Sequence, residues 1–306
     1  METEHTPVPR ERAAPGPRVV PIAIAAAALF FHALWGGNSV AAKFALTGFP
    51  PIGLAGLRFA LAALVVGAWG AVRREPLWPS RREVLPLAIN GLLFTAQIAT
   101  FYIGVFWSSA SHAAVLINTF PIFVAVFAHF WLVGDRLNAG KVVGIALGFG
   151  GTAAVFSDRW DAGAPAMLVG DAVLLLSALI LGAKNTYLKE VVARITPHKV
   201  VFSQMLFSLG PYFAYSLAFE GLLGAKPDAV ALLALGYQSV VVGAFCFMGW
   251  TIILQRIPAS KLAVFGFSSP VSGVILSHLL LGEPLTSKLV AGMALVALGI
   301  GIAARS

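Results

Sequence analysis

The sequence predicts an all-α polytopic membrane protein in which ten transmembrane helices form two inverted five-helix repeats. First, 58% of the 306 residues are hydrophobic, 11% are charged and the mean hydropathy is +0.86, whereas a soluble domain carries about 25% charged residues. Second, ten apolar segments are long enough to cross a bilayer. Third, the two halves of the chain share sequence patterns at a nearly constant offset. A soluble enzyme and a disordered chain are therefore excluded.

The ten apolar segments follow one another with short breaks that contain proline, glycine or charged residues. A bilayer-spanning helix needs about 20 mostly apolar residues. The predicted spans are, in order, 20–45, 51–72, 84–107, 110–133, 139–156, 166–188, 197–219, 228–254, 258–281 and 287–304. Typical breaks are Phe49-Pro50-Pro51 and Gly282-Glu283-Pro284, since proline and glycine interrupt helices. The breaks are too short to hold an inserted soluble domain.

Residues 1–18 are polar and rich in proline, which predicts a disordered tail on the cytoplasmic side. A cleavable signal peptide within residues 1–40 is the alternative. The first apolar run is too long for one and leads directly into further spans. The first repeat is therefore expected at 19–157 and the second at 158–306.

Lysine and arginine are distributed unequally between the two sides of the predicted bundle. Of the 21 Lys and Arg residues, 15 lie in the tail, in the loops on the same side and at the C-terminus, against 4 on the opposite side. This asymmetry predicts that both termini are cytoplasmic. It also accounts for the pI of 9.9 without any nucleic-acid partner. The single cysteine, Cys246, excludes an intramolecular disulfide and a thiolate metal site.

The second half of the chain repeats patterns of the first half. The matching pairs are 111–115 with 260–264, 35–43 with 181–189, and Gly144 and Gly151 with Gly292 and Gly299. The offsets are 149, 146 and 148 residues, respectively. Each copy contains five spans, an odd number, so the second copy must insert upside down. Inverted repeats place a substrate site near the membrane midplane, between the halves.

Short motifs at corresponding places in both halves resemble a known family. They are Leu34-Trp35-Gly36-Gly37-Asn38 with Lys43, Leu57-Arg58-Phe59, and the blocks Pro121…Gly134-Asp135-Arg136-Leu137…Gly144 and Pro270…Gly282-Glu283-Pro284-Leu285…Gly292. Together they resemble the EamA domain of the drug/metabolite transporter superfamily over about residues 20–304. The resemblance implies two inverted five-helix bundles around a cavity lined mainly by spans 1, 3, 4, 6, 8 and 9. Many members, such as the YddG-type amino-acid exporters, export amino acids or related metabolites. Asp135 departs from the glutamate that the family usually shows.

Polar and aromatic residues recur at helical spacing within those spans. Residues at i, i+3, i+4 and i+7 share one helix face, and polar groups avoid lipid. Asn185 and Phe267 follow from mapping one repeat onto the other. The candidate substrate-binding residues are His32, Trp35, Ser39, Phe94, Gln97, Phe101, Asn118, Asn185, Tyr237, Thr251 and Phe267.

Each of these residues also has a structural interpretation. A single polar side chain in a span can serve a helix–helix hydrogen bond, and a single aromatic ring can serve core packing. If they line a cavity, Trp35 and Phe101 enclose an apolar group, while Gln97, Asn118 and Asn185 bond an amino or carboxyl group. This mixture suits a zwitterion or small amphiphile rather than a lipid or a bare ion.

The charged residues within the spans have separate interpretations. Arg58, whose repeat partner is Gln204, is expected to pair with a loop acid or to extend towards the interface. Lys43 and Lys189 end equivalent spans, where they either stabilise the helix C-terminus or act as gate charges. Asp171 is the most deeply placed acid, and it is expected to remain near external water.

No catalytic residue, metal site or cofactor is predicted. Phosphate-binding loops, HExxH and nucleophile elbows are missing from the sequence, and its acids lie in the tail, in loops or at span ends. This placement argues against a membrane enzyme or a receptor-like binding module. The alternative within transport is a multidrug efflux transporter, which usually needs a buried carboxylate for cationic drugs.

The sequence predicts a secondary transporter that exports amino acids or related metabolites across the bacterial inner membrane by alternating access. Its expected partners are a small-molecule substrate and membrane lipid, and it is expected to function as a monomer. Because Asp and Glu are missing from the middle of every span, proton exchange is not expected to be obligatory. His32 is the fallback if protons take part.

Overall fold

A computed structural model describes residues 21–131, 137–161, 165–256 and 268–305. The predicted tail at 1–18, the motif residue Asp135 and the candidate Phe267 lie outside the described residues. All regular structure within the described residues is helical. Twelve α-helices lie in them: α1 (Ile22–Ala45), α2 (Pro51–Arg73), α3 (Val84–Trp107), α4 (Ala110–Ile117), α5 (Phe120–Trp131), α6 (Ala139–Asp161), α7 (Pro165–Val192), α8 (Pro197–Tyr215), α9 (Ala229–Gly236), α10 (Phe247–Arg256), α11 (Ser268–Leu281) and α12 (Ser287–Arg305).

Seven stretches of the described residues are long and apolar enough to cross a membrane. They are Ile22–Ala45, Pro51–Arg73, Val84–Trp107, Ala110–Trp131, Ala139–Asp158, Met167–Val192 and Ala229–Trp250. Shorter apolar helices lie at Ser268–Leu281 and Ser287–Ile302. The protein is therefore a polytopic helical membrane protein, as its composition predicted.

Local sequence explains where the helices begin and end. Pro51 and Pro197 occupy the first positions of α2 and α8, where a missing N–H removes no helical hydrogen bond. The side chain of Asp228 accepts a hydrogen bond from the backbone N–H of Ala231 at 2.7 Å and so caps α9. Gly282 follows α11 with a φ of 67°, a left-handed conformation that glycine adopts without steric strain.

The fourth predicted span is two helices rather than one. A break at residues 118–119 separates α4 from α5, and Pro121 lies in the first turn of α5. Asn118 Nδ2 and Thr119 Oγ1 each donate to a carbonyl oxygen of the preceding turn at 2.7 Å. These bonds satisfy backbone groups that an apolar environment would leave unpaired.

The eighth predicted span contains a π-helical stretch, Tyr237–Cys246, which joins α9 to α10. In π-helical geometry the backbone bonds run from i to i+5 rather than from i to i+4. The faces of α9 and α10 are therefore not related by the ordinary helical repeat. The α-helical repeat used to place Tyr237 and Thr251 on one face therefore does not hold along the whole span.

Helices α6 and α12 pack together through glycine. A Cβ atom placed on Gly151 would lie 2.6 Å from the carbonyl oxygen of Gly292, and one on Gly299 would lie 2.5 Å from that of Gly144. The two backbones thus approach closely, which small residues permit in membrane helices. Because these glycines are equivalent pairs in the sequence repeat, the second contact is the first with the two helices exchanged.

A second pair of close contacts follows the same mapping. A Cβ atom on Gly36 of α1 would lie 2.5 Å from the carbonyl oxygen of Ser269 in α11. A Cβ atom on Gly182 of α7 would lie 3.2 Å from the carbonyl oxygen of Phe120 in α5. Gly36 and Gly182 are equivalent positions in the repeat, and so are Phe120 and Ser269. Helix α1 therefore meets α11 as α7 meets α5.

Two carboxylates cap helices at the end of the bundle where α3 joins α4, called here the predicted external end because the charge distribution places it outside. Glu220 accepts from the backbone N–H groups of Ile52 and Gly53 in α2 at 2.9–3.1 Å. Glu283 accepts from the first two backbone N–H groups of α4 at 2.8 and 2.9 Å. A carboxylate there pairs with otherwise unsatisfied N–H groups and with the positive end of the helix dipole.

At the opposite end of the bundle, Glu83 joins the start of α3 to α8. Its carboxylate accepts from the backbone N–H of Ser80 at 2.7 Å and from Lys199 Nζ at 3.0 Å. The N–H of Ser80 and the ammonium of Lys199 hold the pKa of Glu83 below its usual value. This stabilisation is present above the ordinary pKa of glutamate, and it is lost as the pH falls through the lowered pKa.

Candidate functional site

Five rings from α1, α3 and the α10 region form a chain of contacts inside the bundle. His32 lies 4.8 Å from Trp250 and 5.4 Å from Trp35 between ring centroids. Trp35 lies 5.5 Å from Trp250 and 6.1 Å from Phe247. Phe247 lies 6.4 Å from Phe94. All five contacts are edge-to-face, the arrangement that aromatic rings favour. We call these five residues the aromatic cluster.

Two buried cations flank a ring pair that extends this cluster. Phe94 and Phe59 lie 4.7 Å apart between centroids. Arg58 places Cζ 4.9 Å from the centroid of Phe59, and Lys184 places Nζ 5.2 Å from that of Phe94. Arg58 is 2% exposed and Lys184 is 3% exposed, so both charges lie in the interior.

Arg58 is held by neutral acceptors. Its Nε donates to the backbone carbonyl of Gln238 and its Nη1 to the hydroxyl of Tyr102, both at 3.1 Å. That hydroxyl donates in turn to Gln238 Oε1 at 2.9 Å. Arg58 therefore does not pair with a described loop acid or reach the interface, which corrects the expectation from the sequence. Its repeat partner Gln204 accepts a hydrogen bond from Asn90 at 3.2 Å.

Lys184 has a different environment. Among the described residues its ammonium makes no hydrogen bond and no ion pair, and its one ring contact is Phe94. A desolvated cation–π contact contributes about 2 kcal/mol, whereas burial of an ammonium costs several kcal/mol. The ring alone therefore leaves this charge largely uncompensated.

Three of the predicted site residues bond neighbouring helices. Gln97 Nε2 donates to Ser177 Oγ of α7 at 3.1 Å. The Tyr237 hydroxyl donates to the carbonyl of Leu34 in α1 at 2.6 Å. Asn118, in the break between α4 and α5, also lies 3.4 Å from a hydroxyl of α11. These bonds match the structural interpretation of each residue and occupy part of its hydrogen-bonding capacity.

The other predicted residues are spread over several helices. His32, Trp35 and Phe94 belong to the aromatic cluster. Ser39 and Phe101 are buried, and Asn185 is half-buried next to Lys184 in α7. Thr251 lies in α10, but its side chain, like all of Phe267, falls outside the described residues. A substrate-lining role for these eleven residues stays a prediction.

Two polar atoms on α1 have no hydrogen-bond partner among the described residues. They are Nε2 of His32 and Oδ1 of Asn38. A buried polar atom without a partner costs about 1–3 kcal/mol. Each of these atoms therefore keeps hydrogen-bonding capacity that no described residue uses.

A second group of polar residues lies at the predicted external end. His112 Nδ1 is 2.8 Å from an Asp171 carboxylate oxygen, and His112 Nε2 is 3.3 Å from one of Asp158. The hydroxyl of Ser108 also donates to Asp171. Asp171 is fully buried, so the expectation that it stays close to water was wrong. Its carboxylate instead bonds Ser108, which follows α3, and His112 of α4.

Several residues in and beside the aromatic cluster were not among the site residues predicted from the sequence. Phe247 and Trp250 were missed because the π-helical stretch changes which residues of the eighth span share a face. Lys184 and Arg58 carried an available signal, since an ionisable residue inside a membrane span is a functional candidate by default. Tyr102 had no such signal in the sequence and is identified only by its hydrogen bond with Arg58.

Comparisons with known proteins agree with this architecture. The EamA-like transporter family matches the chain twice, at residues 21–157 and 168–305. An uncharacterized transporter of Archaeoglobus fulgidus is 28% identical over 89% of this chain and 95% of its own length. A protein of Escherichia coli K12 described as a probable amino-acid metabolite efflux pump is 27% identical over 90% of this chain and 92% of its own length.

A protein of known crystal structure has the same fold. The TM-score is 0.66 with 21% identity, over 92% of this chain and 95% of the other. The two family matches cover nearly all of the described helices, and the named relatives are transporters or efflux pumps rather than enzymes. This polytopic membrane protein therefore belongs to the EamA-like transporter family, in keeping with the drug/metabolite transporter superfamily that its motifs resemble.

Proposed function

We propose that the protein is a secondary transporter that exports amino acids or related small amphiphilic metabolites across the bacterial inner membrane. The observation that carries this proposal is the centre of the bundle, where an aromatic cluster lies beside polar atoms without partners. Rings can enclose the apolar part of a solute while a few polar groups orient it. The relative described as a probable amino-acid metabolite efflux pump supports the same class of solute.

Transport proceeds by alternating access between two inverted five-helix repeats at 19–157 and 158–306, with ten spans in total. The exchanged glycine contacts of α6 and α12 support this arrangement, as do the equivalent contacts of Gly36 and Gly182. Inverted repeats place the solute at their interface near the midplane. In this proposal the protein functions as a monomer.

Movement of the solute does not require obligatory proton exchange. Among the described residues, no carboxylate lies at the middle of a span. Asp171 is buried, but it lies near the beginning of α7 and is bonded to His112. His32 in the aromatic cluster remains the group to test if protons take part.

Flux into liposomes tests the proposal. Purified protein is reconstituted and assayed with a panel of labelled amino acids and with ethidium as a cationic drug. Amino acids are expected to equilibrate without an imposed pH gradient, while ethidium stays outside. Transport of ethidium, but of none of the amino acids, would favour the multidrug alternative.

A pH gradient is then imposed to test coupling. Accumulation above equilibrium that collapses with an uncoupler would refute the uncoupled mechanism. Loss of that accumulation in Asp171→Asn but not in His32→Gln would then assign the coupling to Asp171.

The topology gives a separate prediction. Single cysteines at Ser80 and Lys226, both exposed, are introduced in a Cys246→Ala background. A membrane-impermeant thiol reagent added to intact cells is expected to label position 226 but not position 80, because the loop at 74–83 is predicted to be cytoplasmic. The reverse pattern would place both termini outside, and permeabilised cells should show labelling at both positions.

Trp35→Ala tests the role of the aromatic cluster. Trp35 contacts three other rings of the cluster, and each such contact contributes about 0.5–1.5 kcal/mol. If a solute packs against the same ring, its half-saturation concentration should rise about tenfold. Trp107→Ala is the control, since Trp107 is 52% exposed. Equal transport by both variants would exclude Trp35 from the path.

A further inference from the structure

Two buried cations of the described residues lie in the interior of the bundle. Arg58 contacts the ring of Phe59 and Lys184 contacts the ring of Phe94, and both are nearly fully buried. Arg58 lies seven positions after the start of α2 and Lys184 eight positions before the end of α7. At 1.5 Å per residue, each is about 10–12 Å from a helix end. Neither charge is at an interface.

The acids whose side chains the structure describes are engaged elsewhere or exposed. Glu190 is exposed near the end of α7. The other acids whose side chains the structure describes pair with groups near the ends of the bundle: Glu75 with His198, Glu83 with Lys199, Asp158 and Asp171 with His112, Glu220 with the start of α2, Asp228 with the start of α9, and Glu283 with the start of α4. None of these acids neutralises the two central cations.

The two cations differ in what they can still bind. Arg58 already donates to the carbonyl of Gln238 and to Tyr102. Lys184 has three ammonium donors and, among the described residues, no acceptor for any of them. It therefore has the donors free for an anionic ligand, and the fully buried ring of Phe94 lies beside them.

We propose that Lys184 binds the carboxylate of the transported solute, with the apolar part of that solute against Phe94 and the aromatic cluster. The inference rests on the proposed transport through this centre and adds its solute class, which is a carboxylate-bearing amphiphile. A cation is repelled from the same place by Lys184 and Arg58. The site thus selects for a carboxylate by charge and for an apolar group by ring contact.

Equilibrium binding to the purified full-length chain in detergent tests the proposal. The probes are L-phenylalanine, its amide, and 3-phenylpropionate, which share the phenyl group and differ in the carboxylate and the amine. Both carboxylates are expected to bind, and the amide should bind at least tenfold more weakly. Lys184→Gln should weaken both carboxylates at least tenfold and leave the amide unchanged, while Lys184→Arg retains the preference.

Lys199→Gln is the matched control. It also removes one lysine charge, but Lys199 pairs with Glu83 at the end of the bundle, so its binding should equal that of the parent protein. Lys184→Gln is expected to melt at or above the parent temperature without probe, because it removes a buried charge that lacks a partner. This gain in stability with loss of binding separates a ligand-binding lysine from a structural one.

The proposal is overturned if the parent protein binds the amide as tightly as the acid, or if none of the three probes binds. It is also overturned if Lys184→Gln binds 3-phenylpropionate like the parent. Should Lys184→Gln fail to fold, the preference of the parent for carboxylates and its retention in Lys184→Arg decide the question. Liposome flux is a separate measurement. Amino-acid transport without a preference for carboxylates would support the proposed function and reject the Lys184 site. Carboxylate binding without flux would support the site and reject the proposed function.

Discussion

Alanine at Gly151 or Gly299 is expected to lower the stability of the folded bundle by about 3 kcal/mol, at the upper end of the usual cost of overpacking. Each new Cβ would lie 2.5–2.6 Å from a backbone oxygen of the facing helix. A backbone atom cannot rotate away as a flexible side chain can, so α6 and α12 must separate. The measurement is the unfolding free energy from a denaturant titration in mixed micelles.

Gly150 and Gly301 are matched controls on the same two helices. A Cβ at either position meets no atom within 4 Å, so alanine there should leave stability unchanged or raise it slightly. The Gly151→Ala/Gly299→Ala double variant should cost less than the sum of the single variants, since the first separation already relieves part of the second. Full additivity, or unchanged stability in the single variants, would contradict this close packing.

Asp171→Leu is expected to destabilise the bundle by about 2–6 kcal/mol, because Ser108 Oγ and His112 Nδ1 each lose a buried hydrogen-bond partner at about 1–3 kcal/mol. Asp171 is fully buried and bonds both Ser108 and His112. Its removal leaves His112 inside with Asp158 as its one remaining described partner, at 3.3 Å. The thermal midpoint of the purified protein is the measurement.

Replacing both partners should be less harmful than replacing one. In Asp171→Leu/His112→Phe no unpaired donor or acceptor remains between the two positions, so much of the stability should return. Asp228→Asn serves as the control, because asparagine caps a helix as well as aspartate does. A double variant that is less stable than Asp171→Leu would show that His112 has support independent of Asp171.

Local sequence was sufficient for most helix boundaries. The third predicted span, 84–107, agrees with α3, and the second differs from α2 by one residue. Prolines and polar breaks determine these ends without help from distant residues. The break at 118–119 and the π-helical stretch were not predicted, because each depends on hydrogen bonds that the average hydrophobic pattern does not contain.

The contacts of the candidate site residues were harder to predict than the positions of the helices. A helical stripe indicates which residues share a face, but not what that face contacts. His32, Trp35 and Phe94 do come together, whereas Gln97 and Tyr237 bond neighbouring helices. The rings of α10 that complete the cluster come from a helix whose register changes within the span.

The seam between α6 and α12 has a consequence for how the chain is made. Helix α12 begins 126 residues after α6 ends, so at about 5–20 residues per second the ribosome needs about 6–25 s to deliver it. During that interval the glycine face of α6 lies in the bilayer without its partner. The first half of the molecule is thus inserted before its packing partner in the second half is made. Its unpaired glycine surface is exposed to membrane chaperones and proteases during that time. Synthesis halted before α12 should leave a fully inserted but protease-sensitive bundle.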